Sequence, residues 1–121
     1  MLVTLRTMTM SDRPLRAEER GLIAYLWNLK APGNALPPEI RVTEMLDGGM
    51  GSLSFVSAKS RRSMGQVAGE CSFLDADGAL VEAALLLDKD GDLFELDIWK
   101  VNFAPLIYIP DPASFFPSAT C

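Results

Sequence analysis

A chain of 121 residues, 49% apolar and 22% charged, can bury one core without disulfide or metal staples and is too short for two ordinary domains. Its net charge of −5 is unevenly placed: residues 1–63 carry nine basic and six acidic side chains, whereas residues 64–121 set only Lys89 and Lys100 against ten carboxylates. That distribution argues against binding to a phosphate backbone, which gathers Lys and Arg on one surface, and the complete lack of histidine removes Ser-His-Asp and Cys-His catalysis and histidine-ligated zinc.

The apolar stretches at 83–87 and 103–107 fall far short of the roughly 20 residues of a membrane span, and no uninterrupted apolar leader opens the chain. Two cysteines, Cys71 and Cys121, do not make a disulfide framework. The reading is a cytoplasmic protein with one domain over residues 10–110, a flexible extension over 1–9 and a tail over 111–121. No nucleic acid, membrane, metal or cofactor is expected.

The first element is a helix over residues 17–30. Leu22, Ile23, Leu26, Trp27 and Leu29 recur on one side of a 3.6-residue period, Glu18 and Glu19 suit the positive end of its dipole, and Pro32-Gly33 stops it. After the turn-rich stretch 32–38, short apolar runs alternate with Gly- and Asp-rich connections. Strands are expected at 40–46, 52–57, 65–74, 80–87 and 93–101. Three of the connections, at 47–51, 75–78 and 88–92, hold four or five residues, which suits hairpins and leaves no room for parallel crossovers. From Phe103 onward, Pro105, Pro110, Pro112 and Pro117 rule out a central strand, so this stretch should wrap the surface on its aromatic residues. The expected fold class is α+β: an N-terminal amphipathic helix packed on a mainly antiparallel sheet of about five strands, with a Pro-rich C-terminal tail.

Motifs with possible chemistry each have a plainer structural explanation. Cys71 alternates with Val67, Gly69 and Phe73 on what reads as the buried face, so it is expected to be an inert core thiol. The turn Asp88-Lys89-Asp90-Gly91-Asp92 resembles a calcium loop only in composition. Setting Gly91 at the sixth position of an EF-hand puts Leu86 where the first carboxylate ligand belongs. Gly48-Gly49-Met50-Gly51 could bring amides to an anion but lacks the Lys-Ser/Thr of a P-loop. Glu95 and Asp97 share a strand face and are the remaining acid/base pair.

On the last strand Phe94, Leu96 and Ile98 alternate with Glu95, Asp97 and Trp99. If the Asp-Gly turns close simple hairpins, Glu70, Glu82, Glu95, Asp97 and Trp99 share the outer face. An exposed Trp among carboxylates is characteristic of a protein-binding surface; the alternative is that the tail folds back and covers Trp99.

Three segments carry a resemblance: Arg13-Pro14-Leu15, Arg41-Val42-Thr43-Glu44-Met45 running on to Asp47-Gly48-Gly49-Met50-Gly51-Ser52-Leu53, and Glu95-Leu96-Asp97-Ile98-Trp99-Lys100-Val101-Asn102-Phe103. Over residues 13–110 the chain resembles a family of small, uncharacterised bacterial proteins described as a domain of unknown function. The resemblance implies no catalytic residues. Small size, missing catalytic equipment and concentrated negative charge together suggest a bacterial cytoplasmic protein-binding module. The leading form is an immunity protein that neutralises a basic toxin through its acidic sheet face. The alternatives are a small-ligand or carboxylate-based catalytic domain and a structural homo-oligomeric module.

Overall fold

A computed structural model describes residues 11–118. The expected 1–9 extension and Cys121 lie outside those residues. The helix, α1, runs Ala17–Lys30, and the strands are β1 Arg13–Pro14, β2 Arg41–Glu44, β3 Leu53–Phe55, β4 Met64–Leu74, β5 Leu80–Asp88 and β6 Leu93–Lys100. All adjacent strands pair antiparallel, in the order β1-β2-β3-β6-β5-β4. The sheet thus has six strands rather than five. The extra one, β1, is two residues long and ends in a proline, so it carries no alternation that a sequence pattern could reveal.

Helix α1 begins where Glu19 turns back to accept the Arg16 backbone N–H at 2.8 Å, filling one of the orphan donors of the first turn. Arg13, from β1, grips the same carboxylate with two bonds of 2.9 Å and reaches Glu44 of β2 at 3.2 Å. One ionic cluster therefore ties the helix start to the edge of the sheet. Burial pushes the Glu19 carboxyl up, but Arg13 and the Arg16 N–H outweigh it and hold Glu19 below the ordinary range.

Leu22, Ile23 and Leu26 are fully buried and meet Phe73, Val81, Ala83, Leu85 and Leu96 in one core. The helix crosses β4 and β5. It comes so close at Gly69 that a Cβ there would sit 2.7 Å from the Leu26 carbonyl oxygen. Gly69→Ala is expected to cost about 1–3 kcal/mol as backbone must move, readable as a lower urea midpoint. The same region departs from simple alternation. The β4–β5 register shifts between Val67 and Gly69, so Val67 opposes Leu86, Gly69 opposes Leu85, and Val67 is exposed. A bulge thus separates Val67 from the buried face of Cys71 and Phe73, correcting the pattern-based placement.

Strand β3 lies between β2 and β6, so the chain must pass the ends of β6 and β5 to reach β4 at the far edge. The crossing loop, residues 56–63, is pinned to the β5–β6 turn. Lys59 Nζ donates to Asp88, Asp90 and Asp92 at 2.8, 2.9 and 2.7 Å, and Arg62 donates to Asp88, to the Phe55 carbonyl and to the Leu93 carbonyl. The carboxylates of this turn thus face an ammonium supplied by the chain itself. Lys59 is the largest influence holding Asp88 far below the usual carboxylate range.

After β6 the tail turns at Phe103, then packs Ile109 and Phe115 into the core. Phe115 stacks edge-on with Tyr25 (5.1 Å between centroids) and lies 5.6 Å from Phe73, and Phe116 exchanges two backbone bonds with Ser72 on the β4 edge. No helix among the described residues is long and apolar enough to cross a membrane.

Candidate functional site

The pairing register decides which side chains share the outer face of the sheet. Glu70 opposes Ala84, and Ala84 opposes Asp97. One row along, Ser72 opposes Glu82, and Glu82 opposes Trp99; in the other direction Leu86 opposes Glu95, which opposes Ser54. Glu70, Glu82, Glu95, Asp97 and Trp99 are therefore together on one face, across three strands. The helix covers the other face.

Ala84 has no side chain beyond Cβ, and longer neighbours surround it. The result is a trough of about 320 Å³ lined by Ser52, Glu70, Glu82, Ala84, Asp97, Trp99 and Ser118 among others. Among the described residues the tail does not cover Trp99. Trp99 stays 43% exposed, and Phe103 meets it edge-on at 6.0 Å between ring centroids. Phe103 is itself 67% exposed and holds φ at +62°, a left-handed conformation costly for a bulky residue, so the turn fixes this aromatic beside Trp99 at the expense of local strain.

Glu82 is anchored by its neighbours: Oε1 accepts the Ser72 hydroxyl at 2.9 Å and the Ser118 hydroxyl at 2.7 Å. Its Oε2 is buried and has no hydrogen-bond partner among the described residues. Glu95 is shifted up, chiefly by burial and then by its hydrogen bond and charge contact with Asp97.

The glycine loop is used internally. Asp47 accepts the N–H groups of Met50 and Ser52 at 3.1 and 2.9 Å, and the Gly49 carbonyl accepts from Leu106. Gly48, Gly49 and Gly51 all have φ near or above +77°, so the glycines serve the turn. Two of the amides that an anion would need are already given to Asp47.

Sequence reasoning missed the deepest charged pair. Lys100 and Asp75 side chains are both fully buried, 2.8 Å apart, with Asp77 a second carboxylate at 2.8 Å from the same ammonium. Asp75 also accepts the Ile107 and Tyr108 N–H groups, and Lys100 donates to the Pro105 carbonyl, so the pair fastens the tail to the β4–β5 hairpin. The signal was present: Lys100 continues the inward alternation of Leu96 and Ile98.

Residues 12–110 match the family described as Domain of unknown function (DUF6984). The chain belongs to this family. The match spans the whole stretch over which the motif resemblance ran, and it assigns no activity. No curated protein and no solved structure matches the chain.

Two expectations follow for residues on opposite faces. Cys71 is fully buried, and burial, then the charge of Glu82, push its thiol up to about 12, so a thiol reagent should leave it unmodified in the folded protein. Mass spectrometry of the labelled chain reads this. Trp99→Ala should cost about 1 kcal/mol of stability or less, against about 3–5 for a buried aromatic, and a denaturant melt followed by circular dichroism distinguishes the two.

Proposed function

We propose that the protein is a binding module, acting in the cytoplasm and without catalysis of its own, that docks a basic protein on the outer face of its sheet. The observation that carries this is the Trp99–Phe103 pair, left exposed and held by a strained turn, beside Glu70, Glu82, Glu95 and Asp97. Aromatic anchors supply most of the binding energy at protein interfaces, and carboxylates around them steer an oppositely charged partner. The lack of histidine and the acidic second half of the chain support the same reading. An immunity protein that neutralises a bacterial toxin is the specific form we favour.

A photo-crosslinking residue at position 97, compared with one at the exposed helix position Asn28, tests it in the native cell. Adducts with a protein of basic net charge are expected from position 97 and not from 28. Adducts from 28 alone, equal yield from both, or none from 97 would contradict the docking face. A partner without toxic activity would remove the immunity form and leave the docking reading standing.

A further inference from the structure

We infer that the trough over Ala84 receives an arginine side chain of the partner. This inference rests on the docking reading above and names what the centre of that face binds. Ala84 is a short side chain flanked by longer ones: Glu70 and Asp97 stand directly across from it on the two neighbouring strands, and Glu82 lies two residues along its own strand with Trp99 across from it. The trough is therefore walled by three carboxylates and an indole, and its volume of about 320 Å³ accommodates one long side chain.

The walls favour a flat cation with several donors. Glu82 is half satisfied: two hydroxyls donate to Oε1, and no described residue donates to the buried Oε2. Oε2 is closed to solvent, so a guanidinium entering the trough reaches it when the Glu82 carboxylate turns about its broad terminal torsion, and the cost of leaving a buried acceptor without a donor favours that turn. The same guanidinium can present its other N–H groups to Asp97 or Glu70 and lay its plane against Trp99, combining a forked ion pair with a cation–π contact. A lysine ammonium is a point charge with three donors and cannot match both geometries. A neutral side chain would leave the carboxylates facing one another across the trough.

The test uses the full-length, ¹⁵N-labelled protein and N-acetyl-arginine amide as the probe, with N-acetyl-citrulline amide as its neutral isostere and N-acetyl-lysine amide as the other cation. Chemical-shift changes are expected at Glu70, Glu82, Ala84 and Asp97 and at the Trp99 indole, with citrulline at least about tenfold weaker and lysine intermediate. Ala84→Leu fills the trough from the solvent side and should abolish these changes while the amide spectrum stays dispersed. Should that variant unfold, Asp97→Asn serves, with an expected loss of several-fold in affinity. Equal shifts from arginine and citrulline, shifts from arginine spread over the Asp88–Asp92 turn as much as the trough, or unchanged binding in the variants would overturn the inference. If position 97 still crosslinks a basic partner under any of those outcomes, the docking face stands and only its arginine pocket is lost.

Discussion

Asp75→Ala should lower the free energy of unfolding by about 3–5 kcal/mol, the usual cost of breaking a buried ion pair from one side. The carboxylate has no solvent to fall back on: its side chain is fully buried, and it accepts from Lys100, Ile107, Tyr108 and Ala76. Removing it leaves two tail N–H groups unpaired and Lys100 with the partly exposed Asp77 as its remaining carboxylate beside the Pro105 carbonyl. Asp75→Asn keeps an acceptor for one of the tail amides and should cost less than Asp75→Ala. Urea titration followed by circular dichroism measures both. A loss below about 1 kcal/mol in Asp75→Ala would show that Asp77 alone satisfies the lysine.

Phe115→Ala is expected to cost a similar amount, about 3–5 kcal/mol, because the ring is buried between Tyr25 of the helix and Phe73 of β4. Its neighbour in sequence provides the internal comparison. Phe116 points its backbone at Ser72 but leaves its ring 38% exposed, so Phe116→Ala should cost far less. A large loss at 115 with a small one at 116 makes the end of the chain a working part of the core. Equal, small losses would mean that the tail only rests on the surface.

Acid should weaken the fold for a reason visible in the ion pairs. Glu19, Asp75 and Asp88 all have folded-state values below their ordinary ones, so the stability they contribute is present above the unfolded carboxylate range, near pH 4, and is lost as pH falls through the depressed folded values. Glu95 is shifted the other way and relieves strain on protonation, offsetting part of the loss. The urea midpoint should therefore hold roughly level from about pH 8 to 5 and fall below about pH 4. A midpoint that rises on acidification through pH 4 would mean that repulsion on the outer face outweighs the three paired carboxylates.

Local pattern made much of this legible. The helical period of Leu22, Ile23 and Leu26 and the strict alternation from Glu95 to Trp99 are each set within a few residues, and the Asp-Gly turns place the β4–β5 and β5–β6 hairpins, but the shared outer face also needs the register shift between Leu86 and Leu87, without which Glu82 would oppose Ile98. What escaped depends on contacts between distant segments. Nothing near Lys59 or Arg62 announces that a loop must pass the β5–β6 turn, because that necessity arises from the strand order. The bulge at Val67–Gly69 lies where the helix comes closest to Gly69, a contact with Leu26 more than 40 residues earlier in the chain. The alternation of Leu96 and Ile98 points Lys100 inward, but its carboxylate partner lies 25 residues away and no local pattern names it. The trough itself was hidden for the same reason: Ala84 becomes a recess only when Glu70 and Asp97 are brought to either side of it.

The most direct measurement of the docking face is the association rate of the crosslinked basic partner with wild-type protein and with Glu70→Lys and Asp97→Lys, taken at low and at physiological salt. Both carboxylates are exposed on the outer face, so reversing them should leave the fold intact. Steering by this face requires a rate that falls at least several-fold in each variant at low salt, with the difference shrinking as salt rises. Rates unchanged in both variants at low salt would mean that the partner approaches elsewhere and that the outer face is not its docking surface.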